Sequence, residues 1–210
     1  MFHLTPAELR ILRPLSTPRK IQDFLETLKM NFCDAGDTCW SPRVVLRERR
    51  AHCVEGAMLA ALALRLHGHP PLLLDLTSTR NDLDHVIAPF RENRRWGAIS
   101  KTNHAVLRYR DPVYTSIREL VMSYFHEYTS DDGKKTLRSY GGPINLRQFD
   151  RNGWMTDTQD VWYIAEYLAD IPHTSILRPN QIARLRRAEP IEQQVGRMLR
   201  DQPNLLPSSQ

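Results

Sequence analysis

CVEGAMLAALALRLHG, residues 53–68, is the stretch that decides the fold. It is rich in Ala and Leu, contains no Pro, and is stopped by His67, Gly68, His69, Pro70 and Pro71, so it predicts a helix with a definite end. Apolar residues run almost all the way round it, the pattern of a helix buried at the centre of a domain. Its longest apolar run, Ala57–Leu64, is far short of the ~20 residues that a bilayer span requires. Immediately downstream, LLLDL (72–76), HVIAPF (85–90), WGAIS (96–100) and the alternating HAVLRYR (104–110) read as four short strands. The expected fold is therefore α+β, with a buried Cys-bearing helix packed on a small antiparallel sheet.

Upstream, TPAELRILR (5–13) has Thr5 as N-cap, Pro6 at the first helical position and Glu8 as capping-box partner. Ile21, Phe24, Leu25 and Leu28 form a helical stripe across 18–30, residues 31–42 read as a loop, and 43–50 as a short Arg-rich helix or turn. Beyond Tyr114 the expectation is helical: 117–128, a loop over 131–143, a helix in 154–171 with Thr156 as N-cap, a helix in 177–187, and a frayed end over the last ten residues. With no Gly/Ser linker, residues 1–210 read as a single domain with a core at 18–112. Residues 113–210 read as a mainly helical C-terminal extension or lid.

Hydrophobic residues at 41% and charged residues at 25% match globular averages and exclude wholesale disorder. The net charge of +5 is spread along the chain, with clusters at Arg43, Arg47, Arg49, Arg50 and at Arg184, Arg186, Arg187. Neither cluster forms a dense basic stripe with interleaved aromatics, so solvated helix faces explain them better than a nucleic-acid partner. MFHLTPAELR shows no export signal, so a cytoplasmic setting is expected, with Cys33, Cys39 and Cys53 as free thiols. The common phosphate-loop, dinucleotide, zincin and hydrolase-elbow motifs are absent. Cys33, Cys39, His52 and Cys53 could in principle hold zinc, but their spacings match no usual zinc knuckle. No metal or other cofactor is expected.

The chemistry-bearing pattern is Cys53 in the first turn of the central helix with His85 opening a strand 32 residues later. A helix N-terminus favours a thiolate, and a nearby imidazole can take its proton. A third group on the next strand would orient the imidazole. If residues 91–95 form the hairpin turn, Phe90 opposes Trp96 and position 85 faces Lys101. A four-residue turn brings Ser100 opposite instead, about 5 Å away at Cβ. Asn103, Asp82, Asp84 and Asp111 stay open as alternatives. His52 reads as a surface or capping group, and Trp40 and Trp96 as core.

The order SPRVVLRERRAHCVEGAMLAALALRLHGHPPLLLDL (41–76), DHVIAPF (84–90), WGAIS (96–100) resembles the transglutaminase-like superfamily, within the papain-like thiol enzymes. Members carry a Cys that opens a helix, a conserved helix exit, a strand-borne His and a Trp-x-x-x-Asp strand. Here these fall on Cys53, Leu64–Pro71, His85 and Trp96, and the match spans roughly residues 40–103. Ser100 stands where that pattern has Asp. The resemblance implies thiol-dependent acyl transfer on an amide bond, as an amidase or peptidase with water or as a transferase with an amine. Cys53, His85 and Ser100 would be catalytic, with the Cys53 backbone N–H and the Trp40 indole N–H as oxyanion donors. The substrate would be a peptide, a protein or a small amide, with no membrane involved. The Ser100 departure implies an alternative: a non-catalytic binding or scaffold module on a degenerate thiol-enzyme fold.

Overall fold

A computed structural model describes residues 2–33 and 36–200; the frayed end expected at 201–210 lies outside the described residues. The fold is mixed α+β with an antiparallel sheet. Four helices precede the sheet: α1 (Pro6–Leu12), α2 (Pro18–Glu26), α3 (Pro42–Glu48) and α4 (Cys53–Leu66). The first three share one local code. Thr5, Thr17 and Ser41 each cap a helix whose first residue is Pro, because a hydroxyl satisfies an orphan N–H and Pro has none to lose. The capping box of α1 is closed on both sides, Thr5 Oγ1 accepting from the Glu8 amide and Glu8 Oε2 from the Thr5 amide.

The start of α4 is set by a small parallel ladder. Strand β1 (Lys29–Met30) pairs with β2 (Arg50–Ala51), and α3 reaches β2 through Arg49 in the left-handed conformation, φ 56°. That turn delivers His52 as N-cap and Cys53 as first residue of α4. The helix is buried from Val54 to Leu64 without a break, as its all-round apolar sequence requires.

The main sheet contains β3 (Leu72–Thr77), β4 (His85–Glu92), β5 (Arg95–Ile99), β6 (Arg110–Tyr114), β7 (Ser139–Asn145) and β8 (His173–Ser175), in the order β6-β5-β4-β3-β7-β8, every pair antiparallel. Both of its faces are covered. Leu73, Val86, Ala88, Phe90 and Ile99 pack with α4 and its neighbours, including α6 (Trp162–Asp170). Leu74, Leu76, Ile87 and Ala98 pack with α5 (Ile117–Met122) and the turns after it, through Tyr124, Phe125 and Tyr128. The continuous runs LLLDL and HVIAPF reflect this: a central strand buried on both sides has no polar face to alternate with.

Three sequence expectations are corrected. The fourth strand lies at 110–114, and 104–109 is irregular. The C-terminal part is not simply a helical wrap, since β7 and β8 complete the sheet, with β7 hydrogen-bonded directly to β3. The helix expected in 154–171 begins at Trp162 with Val161 as N-cap, and Thr156 sits in the preceding turn. Two short helices, α7 (Pro179–Ile182) and α8 (Pro190–Arg197), follow. Among the described residues no helix is long and apolar enough to cross a membrane.

Candidate active site

The first turn of α4 meets the open ends of β3, β4 and β5. The meeting depends on Gly56: a Cβ there would stand 2.4 Å from Cβ of Lys101, so only glycine lets the chain leaving β5 cross the helix this closely. Lys101, buried beneath the crossing, sends its Nζ to the carbonyls of Leu25 and Leu28 at 3.2 and 2.6 Å. This places its cation at the negative end of α2.

The β4–β5 register differs from both turns weighed on sequence. The ladder runs to Glu92 opposite Arg95, closed by the two residues Asn93 and Arg94, both left-handed at φ 47° and 64°. Two consecutive left-handed residues suit the twist of a hairpin. Ser100 consequently follows Ile99, the partner of Ala88, and sits one diagonal step from His85 on the same face, within side-chain reach. His85 Nε2 and Ser100 Oγ are 2.7 Å apart, both buried.

The donors in this chain can be assigned. Ser100 Oγ donates to the carbonyl of Leu107 at 2.6 Å, and a carbonyl can only accept. A hydroxyl has one proton, so toward His85 Ser100 is the acceptor and Nε2 carries the hydrogen. The lone pair of the neutral imidazole is left on Nδ1. Ser100 is itself braced through its backbone: the Gln22 amide accepts from Ser100 N–H and donates to Ser100 C=O, both at 2.9 Å. Gln22 Nε2 also donates to Glu26 at 2.7 Å, and Glu26 carries Arg108 at 3.0 Å and Arg200.

Cys53 is half-buried and a free thiol, as are Cys33 and Cys39. Burial pushes the Cys53 thiol up, but hydrogen bonds from His52 and His85 outweigh it and bring the thiol down to about 5. Tyr128, buried against the end of β3 with its hydroxyl donating to the Leu76 carbonyl at 3.3 Å, is within electrostatic reach of the sulfur.

The other side of Cys53 was not legible as a site from sequence. His52 Nε2 donates to the Thr38 carbonyl at 2.7 Å and lies 3.3 Å from Oε1 of Glu55. Glu55 has no solvent exposure. Its oxygens accept from Thr38 Oγ1 (2.7 Å), the Trp40 amide (3.0 Å), Asn31 Nδ2 (3.1 Å) and the His52 amide (2.9 Å). Burial works against the Glu55 charge, yet these bonds and His52 hold its carboxyl below the ordinary range. A signal was present: Glu three residues after an N-cap is the capping-box spacing, here with His in the place of Ser or Thr.

Other candidate residues stand elsewhere. Asp84 accepts from Ser78, and Asp82 from Leu83 and Thr136. Asp111 is exposed on the edge strand β6. Asn103 is buried and its carbonyl accepts from the Arg200 amide at 2.8 Å. The Trp40 ring lies under Arg50, 5.3 Å from the guanidinium carbon. Trp96 is similarly covered by Arg91. The first Arg cluster is spent on the fold: Arg43 on Glu8, Arg47 on Glu48, and Arg49 over Phe24. Among the described residues no group of three or more His, Cys, Asp or Glu side chains is placed to hold a metal ion. No family model matches the chain, and no curated protein matches it in sequence.

Proposed function

We propose that the protein is a thiol-dependent acyl-transfer enzyme acting on an amide bond, with Cys53 as nucleophile, His85 as the proton carrier and Ser100 as the residue that orients His85. The observation that carries this reading is the directed chain from His85 Nε2–H to Ser100 Oγ and from Ser100 O–H to the Leu107 carbonyl. It turns the basic nitrogen of His85 away from Ser100, and His85 is one of the two imidazoles that hold the Cys53 thiol low. A neutral third member is enough for this purpose, because a Cys–His pair is already charged at rest and needs the orienter for tautomer and direction.

In the proposed reaction the thiol proton passes to His85 and the Cys53 sulfur attacks the amide carbonyl. The backbone N–H of Cys53, in a helical turn without intrahelical acceptors, faces the developing oxyanion. His85 returns its proton to the leaving nitrogen as the C–N bond breaks, leaving a thioester. Water or an amine then attacks the thioester, giving up a proton to His85, and the sulfur leaves as thiolate. Water makes the protein an amidase or peptidase, and an amine makes it a transferase. The strand-borne His, the helix-opening Cys and the antiparallel sheet also agree with the transglutaminase-like resemblance.

The test is a burst assay with p-nitrophenyl acetate, with the labelled residue identified by mass spectrometry. Acetylation of Cys53 at near one equivalent, absent in Cys53→Ser, with turnover after the burst slowed in His85→Ala, supports the reading. An unacetylated Cys53 in a folded protein overturns it in favour of a binding module.

A further inference from the structure

Cys53 has imidazoles on two sides, and only one of them belongs to the strand-borne pair. His85 reaches the sulfur from β4. His52 adjoins it in the chain, as N-cap of the helix that Cys53 opens, with its ring clamped by the Thr38 carbonyl and the fully buried Glu55 carboxylate. We propose that His52, charged and held by Glu55, is a second imidazole on the nucleophile that keeps the Cys53 sulfur anionic whatever the protonation state of His85. This assignment rests on the reading of Cys53 as the nucleophile.

The argument is one of acceptors. The Thr38 carbonyl cannot donate, so His52 Nε2 bears a proton. The carboxylate beside it favours a second proton on the same ring. Glu55 cannot turn away, because Thr38, Trp40, Asn31 and the His52 backbone hold both of its oxygens. The missing strand carboxylate, replaced by Ser100, thus has a counterpart on α4, acting on the other imidazole. Burial works against a charged His52, but its contacts with Cys53 and Glu55 raise its pKa well above the ordinary value.

The two histidines then divide the work. His52 and Glu55 form a charged pair that takes no part in proton traffic. His85, backed by a neutral serine, enters the cycle already holding a proton, passes it to the leaving nitrogen and recovers one from the incoming nucleophile. When the thioester breaks down, the departing sulfur is received by the His52 cation. The groups within electrostatic reach of the sulfur are His52 at the start of α4, with Glu55 behind it, His85 from β4, Cys39 from the preceding loop and Tyr128 from the turns after α5.

The test is the pH profile of iodoacetamide labelling at Cys53, resolved by mass spectrometry, in the wild type, His85→Ala, His52→Gln, His52→Asn and Glu55→Gln. Circular dichroism confirms the fold of each variant. Wild type and His85→Ala are expected to label with midpoints well below the ordinary thiol value of about 8.5. In the two His52 variants the midpoint rises by about 1–2 pH units, so labelling at pH 6 falls roughly 2- to 10-fold. A low midpoint retained in folded His52→Gln and His52→Asn, together with an ordinary midpoint in His85→Ala, overturns the assignment and leaves the nucleophile reading standing. An ordinary midpoint in the wild type overturns both. Should Glu55→Gln not fold, the His52 variants carry the test.

Discussion

The loop around Cys39 and the first turn of α4 around Cys53 each place a thiol near the same carboxylate, Glu55, and the two thiols move in opposite directions. Cys39 is fully buried, and burial, then the charges of Glu55 and Asp160, push it up to about 12. Cys53 is brought down to about 5 although burial works against its charge as well. The difference is the pair of imidazoles: a carboxylate next to a sulfur opposes a thiolate, whereas a carboxylate next to a histidine next to a sulfur supports one. The order of groups decides the chemistry.

Replacing the sulfur probes this contrast most strongly. Cys53→Ser is expected to lower p-nitrophenyl acetate turnover by about 10⁴-fold or more, while Cys39→Ala leaves it within about twofold of wild type. Equal losses in the two variants would erase the distinction between the sites. Next, Ser100→Ala removes the acceptor for His85 Nε2–H and is expected to cost about 10- to 100-fold in turnover, the usual range for a residue that orients a catalytic group. The loss should appear in kcat at all pH values rather than as a displaced midpoint of Cys53 labelling.

A third prediction concerns stability. Gln22→Ala strips both partners from the buried backbone of Ser100, and each unpaired group costs about 1–3 kcal/mol. A substantially lowered Tm is therefore expected, and an unchanged one would show that the brace is dispensable. The fourth is a pH window. Cys53 has a folded pKa of about 5, below the 9.0 of an unperturbed thiol, so its thiolate adds stability at high pH that is lost as pH falls through about 5. Denaturant midpoints of wild type and Cys53→Ser should therefore diverge from pH 5 upward and stop diverging near pH 9. A gap that widens toward acid would contradict a stabilised thiolate. The smallest effect belongs to Arg200→Ala, where a partly exposed ion pair to Glu26 is lost, at under about 1 kcal/mol.

Much of this contrast could be read from sequence on one side only. The burial of α4 followed from its all-round apolar run, and the proximity of His85 to Ser100 from pairing their two strands as a hairpin. The register did not, because Asn93–Arg94 lacks the glycine that announces a two-residue hairpin turn. Strand β7 was hidden for a related reason: SYGGPIN carries two glycines and a proline, and it becomes a strand because β3 needs a partner on its free edge. His52 was legible only as a cap. Its role depends on Thr38 and Asn31, which a loop of unpredictable path brings beneath the helix, and no local spacing encodes that meeting.

The edges of the sheet bear on how the molecule keeps to itself. Strand β6 is one edge, and its residues 111 and 112 are an aspartate and a proline. The proline has no amide to offer a neighbouring chain, and the aspartate is solvated on the same rim. At the far edge β8 is only three residues long, too short to template another strand. A protein whose central strands are continuous apolar runs is exposed to amyloid-like stacking whenever an edge is open. Pro112→Val would be expected to trade solubility for a longer ladder, and this rim would then set how concentrated the protein can be kept.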